Sequence, residues 1–261
     1  MIIVIRYLAK SGSATVKIDN NASNGDGNTN TIFKYTKDTG EIPKPIILSF
    51  LNGCGDMMLD ESNIESMVDE HLLTKEPLHI ILTNFQKKSM ENDYSIEATF
   101  GCRYLSMLPV KYPGDKELEN GSKRFMFVCM HSFVKALKIL GNKNSALRTE
   151  GKMTRGEMLD FFEGCNAFMA MPETKVALKL YYETNNKPPG EKVIEIQKQV
   201  LNLLGLDAEF AISCLNNVRA DYPEDPELHQ KMHLFGLCAQ TATQESMMTP
   251  SQRKYVIHRQ H

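Results

Sequence analysis

The sequence predicts an α+β fold, with a small N-terminal mixed β-sheet that carries one helix and an all-helical C-terminal half of five to six helices. Three observations lead to this prediction. Short segments before residue 109 are rich in β-branched and aromatic residues, residues 109–122 concentrate Pro and Gly, and apolar residues then recur every three or four positions. We therefore expect a β-rich α/β domain over 1–120, a helical domain over 121–250 and a basic tail over 251–261.

The predicted strands of the first domain share alternating apolar residues, except that 45–51 is almost continuously apolar, as in a strand buried on both faces. They cover residues 2–8, 14–18, 32–35, 45–51, 78–85 and 94–105. The Asn- and Gly-rich segment 19–31 is predicted to be a flexible loop or the tip of a hairpin. Ser62 followed by Glu65 has the spacing of a capping box and predicts the one helix of this domain.

The second domain begins with a predicted helix from Phe125 to Leu140 that Gly141 ends. A second capping box, Thr154 with Glu157, predicts the next helix. Residues 173–183 follow as a predicted helix in which Val176, Ala177, Leu180 and Tyr181 recur at helical spacing. Residues 192–218 carry the broadest apolar stripe of the chain and predict a central helix pair. Asp225 before Pro226 predicts the start of the last helix, and we expect no internal repeat of useful length.

Composition excludes several classes of function. The formal net charge of -2 gives no overall attraction to nucleic acid or to an anionic membrane, and no apolar run approaches the length of a transmembrane segment. The six cysteines are scattered and predict reduced thiols, so we expect an intracellular protein of the cytoplasm or nucleus. Fifteen methionines favour an adaptable assembly protein over a rigid enzyme.

Two groups of residues could carry chemistry. Cys54 lies between Gly53 and Gly55, whose exposed backbone N–H groups could form an oxyanion hole, although Asp56 would oppose a thiolate and a tight turn explains the same glycines. His229 and His233 have the i, i+4 spacing of two zinc ligands, but two surface histidines are the simpler interpretation. We therefore expect no catalytic residue, no cofactor and no metal site.

Basic residues cluster in the helical half and in the tail, where they could bind phosphates without reading bases, or could simply form a solvated surface. The candidates for contact with RNA or a protein partner are Lys123, Arg124, Arg148, Lys152, Arg155, Arg253, Lys254 and Arg259.

One local pattern resembles a known family. Cys214-Leu215, an acidic spacer and then Phe235-Gly236-Leu237-Cys238-Ala239 resemble the helix pair in the membrane-proximal domain of influenza-type matrix proteins. The resemblance covers less than a fifth of the chain and indicates a class of protein, and we transfer no functional residue from it.

The leading hypothesis is a non-enzymatic interaction or assembly protein that acts through surface contacts with a protein partner or with itself, of a viral type such as a matrix, nucleocapsid-associated or host-antagonist protein. The first alternative is an RNA-binding protein that uses the basic edge of the helical half. The second is a thiol-dependent enzyme that uses Cys54.

Overall fold

The computed structural model describes residues 33–248, and this part of the chain is all-helical, with twelve helices and no sheet. The first six helices are α1 (Lys44–Leu59), α2 (Glu61–Thr74), α3 (Leu78–Tyr94), α4 (Ala98–Ser106), α5 (Leu108–Lys111) and α6 (Lys116–Lys143). The other six are α7 (Arg155–Ala170), α8 (Pro172–Asn185), α9 (Gly190–Leu203), α10 (Ala208–Asn216), α11 (Val218–Asp221) and α12 (Pro226–Met247).

The predicted α+β fold is wrong, because segments expected as strands lie in helices. Residues 45–51 fall within α1, residues 78–85 within α3, and most of 94–105 within α4. A short apolar run fits a buried helix as well as a buried strand, and the buried residues Ile47, Phe50, Leu51 and Cys54 have helical spacing. Of the expected strand 32–35, Tyr35 forms an isolated parallel bridge with Ile96. The expected strands 2–8 and 14–18 and the loop 19–31 lie outside the described residues.

Local signals for helix ends gave mixed results. The capping box of Thr154 and Glu157 is confirmed, as is the cap at Asp225 before Pro226. The capping box at Ser62 is wrong, because the side chain of Asp60 accepts the backbone N–H groups at the start of α2. Gly141 does not end its helix, since α6 continues to Lys143.

The chain divides into two compact units that alternate along the sequence. The first contains the described residues up to Cys54 together with Thr83–Lys123, and the second contains Gly55–Leu82 and the described residues from Arg124 onward. In the second unit α7 is the central helix: it packs against α8, α9 and α12 and is buried along most of its length. The expected domain boundary at residues 109–122 stays a prediction.

The same order of helices occurs twice. Helices α1, α2, α4 and α5 contain 16, 14, 9 and 4 residues, and α7, α8, α10 and α11 contain the same numbers. The remaining pairs are α3 with α9, of 17 and 14 residues, and α6 with α12, of 28 and 22 residues. This recurrence of helix lengths does not fit the expectation that the chain has no internal repeat.

Candidate functional site

The predicted basic contact residues that the structure describes are each paired with an acidic side chain. Lys123 donates to Glu119 at 2.6 Å, and Arg124 donates to Asp56 at 2.8 Å. Both pairs are solvent-exposed, so they contribute little to stability. Arg253, Lys254 and Arg259 lie outside the described residues.

Arg148, Lys152 and Arg155 lie near the start of α7, and all three have acidic partners. Arg148 binds both carboxylate oxygens of Glu157 at 2.7 Å, and Lys152 donates to Asp221 at 3.0 Å. Arg155 has two partners, Asp225 and Glu227, on the segment that starts α12.

Arg155 donates to Asp225 at 2.5 Å and to Glu227 at 2.5 Å. The hydrogen bond with Asp225 raises the pKa of Arg155 and, in return, lowers the pKa of the Asp225 carboxyl. Together with the pairs of Arg148 and Lys152, this edge carries three positive charges and four negative ones. Binding of RNA here stays a prediction, but the ion pairs do not favour it, because a phosphate would have to displace the carboxylates.

Cys54 is buried in the middle of α1 rather than exposed in a tight turn. Burial raises the pKa of its thiol to about 12, so the thiol stays protonated near neutral pH. The neighbouring Gly53 has a packing role, because a Cβ at this position would come within 2.1 Å of the Tyr94 hydroxyl oxygen. A nucleophile needs a thiolate that substrate can reach, and this position offers neither.

His229 and His233 both lie on α12, and a buried Nε2 atom of His229 has no hydrogen-bond partner. Among residues 33–248, no group of three or more His, Cys, Asp or Glu side chains could hold a metal ion.

Two carboxylates on α7 were not anticipated from the sequence. Asp160, 2% exposed, accepts the backbone N–H groups of Leu78 and His79, each at 2.9 Å. Glu163, 1% exposed, accepts a hydrogen bond from Lys231 of α12. The sequence feature that could have indicated them is their position within the apolar stripe of α7. A carboxylate at such a position is buried and requires a partner. Asp160 and Glu163 thus each join α7 to another segment, while the buried Oε2 of Glu163 has no hydrogen-bond partner among the described residues.

The outer face of α8 exposes two apolar side chains one helical turn apart. Val176 is 66% exposed and Leu180 is 61% exposed, whereas Thr174 and Leu178 are buried against the core. The predicted helix over 173–183 is confirmed, and Val176 and Leu180 lie on its exposed side. The residues at 174 and 178 have the same i, i+4 spacing, so periodicity alone did not distinguish the two faces. We call Val176 and Leu180 the α8 face.

A third exposed apolar residue belongs to the same pair of helices. Ile194 of α9 is 49% exposed and lies one turn after Glu191, which accepts a hydrogen bond from Tyr181 at 2.5 Å. Val176, Leu180 and Ile194 are thus the large exposed apolar residues of α8 and α9.

Comparison with protein-family models, with curated proteins and with solved structures gives no match. The resemblance to matrix proteins therefore depends on the few residues named for it. No helix within residues 33–248 has the length and apolar character needed to cross a membrane. The fold thus defines the described part as an all-α protein made of two similar sets of helices.

Proposed function

We propose that this is a non-enzymatic interaction or assembly protein that acts through surface contacts, with self-association as the first activity to test. The α8 face is the observation that carries the proposal. Burying a Val or Leu side chain fully is worth about 1.5–3 kcal/mol, so two such residues on one helical turn favour contact with a partner's apolar surface.

The surrounding charges fit a surface that docks a helix. Lys179 pairs with Glu183 at 3.4 Å, and Lys175 lies 3.9 Å from Glu245, so polar residues border the apolar pair. Interfaces commonly have an apolar centre with a polar rim. An amphipathic helix, supplied by a second copy or by another protein, is the kind of partner that matches this arrangement.

We further propose that the protein acts inside the cell, in the cytoplasm or nucleus. None of the six cysteines, which all lie within residues 33–248, forms a disulfide, and Cys54, Cys129 and Cys165 are buried. Free thiols are typical of reducing compartments. The narrower hypothesis of a viral matrix, nucleocapsid-associated or host-antagonist protein rests on the sequence and stays a prediction.

Self-association can be tested with Val176→Asp/Leu180→Asp. Light scattering over a range of concentrations should give a mass above that of the monomer for the wild type. The double variant should associate at least about tenfold more weakly, because two buried apolar contacts become buried charges.

Leu237→Asp is the matched control, because Leu237 is also exposed, at 46%, but lies on α12. It should associate like the wild type, and circular dichroism should show that all three proteins are equally helical. The proposal would be contradicted if Leu237→Asp weakened association as much as the double variant does. It would also be contradicted if the wild type were monomeric at every concentration and its captured partners bound the double variant equally well.

A further inference from the structure

The two sets of helices share residues as well as order, most clearly over α4 to α6 and α10 to α12. Nine residues between Ala98 and Phe125 recur unchanged 110 positions later. They are Ala98, Phe100, Leu105, Tyr112, Pro113, Asp115, Glu117, Leu118 and Phe125, which match Ala208, Phe210, Leu215, Tyr222, Pro223, Asp225, Glu227, Leu228 and Phe235. Pro113 and Pro223 are exposed, so the needs of a core do not explain every match.

Helices α1 and α7 match at an offset of 111. Gly53-Cys54 in α1 corresponds to Gly164-Cys165 in α7. A Cβ at Gly53 would collide with Tyr94, and one at Gly164 would come within 2.9 Å of Leu137 and of Val200. Both helices therefore use a glycine at the same position for close approach of a neighbouring side chain.

Unusual backbone conformations recur at matching positions. Lys75 and Asn186 end α2 and α8 with φ of 61° and 51°, and Ser95 and Gly205 have φ of 54° and 78°. Few residues other than glycine adopt positive φ, so its recurrence in the same connections is informative. Each set also contains one parallel bridge, Tyr35 with Ile96 in the first and Arg148 with Leu206 in the second.

The same ion-pair arrangement closes each set, and we call it the clamp. In the first set, Lys44 at the start of α1 lies 2.7 Å from Asp115 and 2.9 Å from Glu117. In the second set, Arg155 at the start of α7 makes the corresponding pairs with Asp225 and Glu227.

Each clamp aspartate also caps the helix that follows it. Asp115 accepts the backbone N–H of Leu118 at 3.2 Å, and Asp225 accepts that of Leu228 at 2.9 Å. One carboxylate thus performs the same two tasks in both sets.

From these matches we infer that the chain arose by tandem duplication of one set of six helices. The two copies are α1–α6 and α7–α12, which differ in their bounds from the two compact units. Two unrelated helical units could share helix lengths by chance. They would not share identical residues, left-handed positions, bridges and clamps at offsets that all lie between 110 and 113 residues. The inference does not depend on the proposed function.

The duplication sharpens the significance of the α8 face. The corresponding helix α2 exposes polar residues at Glu65, Ser66, Asp69 and Glu70, and its exposed leucine, Leu73, lies in its last turn. The shared fold therefore does not require an apolar outer face, and this property belongs to the second copy.

Exchange of matching segments in the full-length chain tests the inference. In the first chimera, residues 208–228 replace residues 98–118, which preserves the proposed register. In the control, residues 210–230 replace the same segment, so that composition is similar and the register is shifted by two. Thermal unfolding followed by circular dichroism measures whether each protein folds cooperatively.

If the segments are copies, the in-register chimera should unfold cooperatively and keep its helical content, with a midpoint within about 10 °C of the wild type. The shifted chimera should not, because its apolar residues would face solvent and its aspartate would miss both the cap and the clamp cation. The reciprocal chimera, in which residues 98–118 replace residues 208–228, repeats the test in the second set of helices. In-register chimeras that fold no better than the shifted control in both directions would overturn the inference.

Discussion

At the scale of single residues, buried carboxylates on α7 are the most demanding feature of the described chain. Asp160 accepts two backbone N–H groups at the start of α3 and lies 2.6 Å from Nδ1 of His79. A carboxylate that is 2% exposed is tolerated only with such partners. Asp160 therefore serves as a cap for a helix that begins 82 residues earlier in the sequence.

Replacement of Asp160 should be strongly destabilising. Asp160→Ala removes the acceptor for two buried N–H groups and the partner of His79, so we expect a loss of about 3–5 kcal/mol in the free energy of unfolding. Urea denaturation at neutral pH measures it. Ser49→Ala is the control, since Ser49 holds the matching position of α1 and is exposed. A loss for Asp160→Ala no larger than that for Ser49→Ala would show that the cap contributes little.

At the scale of elements, the sequence predicted what depends on neighbours in the chain and failed where distant contacts decide. The cap of Thr154 with Glu157 was predictable because both residues belong to the same turn. The helix over the apolar run at 45–51 was not, because the burial of Ile47, Phe50 and Leu51 on one face depends on segments far away in sequence. The sequence predicted Arg155 as a basic contact residue but not its ion pair with Asp225. The reason is the same, since Asp225 lies 70 residues later.

The clamp of the second set is expected to make stability depend on pH. Arg155 lowers the pKa of Asp225, so the contribution of this pair is fully present above the unfolded pKa of about 4 and is lost as pH falls through the folded value. Because Arg155 is partly exposed, we expect Arg155→Met to cost on the order of 1 kcal/mol at pH 7. The cost should shrink at pH 3 and below.

Urea unfolding of Arg155→Met at pH 7 and at pH 3 measures this difference. Lys175→Met is the control, because Lys175 lies 3.9 Å from its partner Glu245 and both are exposed, so its loss should be undetectable at either pH. A cost for Arg155→Met that is the same at both pH values would mean that ionised Asp225 is not its source.

At the scale of the whole molecule, the described residues contain a joint between the two sets of helices. Pro77, which precedes α3 of the first set, lies against Gly156 at the start of α7 of the second set. Asp160 of α7 accepts hydrogen bonds from the backbone N–H groups of the next two residues, Leu78 and His79. The matching positions on α1 are Pro45 and Ser49, and both are exposed. Pro45 stands where α7 has Gly156, and Ser49 stands where α7 has Asp160. Helix α1 therefore lacks both the glycine and the carboxylate that make these contacts in α7.

Gly156→Ala tests the joint directly. The added Cβ would lie 2.4 Å from Cγ of Pro77, and because a proline ring cannot rotate away, the backbone must shift. Such overpacking typically costs 1–3 kcal/mol, which lowers the unfolding midpoint by roughly 2–4 °C for each kcal/mol. Gly236→Ala is the matched control within a helix, since a Cβ there meets nothing within 4 Å and alanine should raise stability by up to about 1 kcal/mol. Differential scanning calorimetry should therefore show a lower unfolding midpoint for Gly156→Ala and a higher one for Gly236→Ala than for the wild type. A Gly156→Ala midpoint at or above that of the wild type would refute the close contact between Gly156 and Pro77.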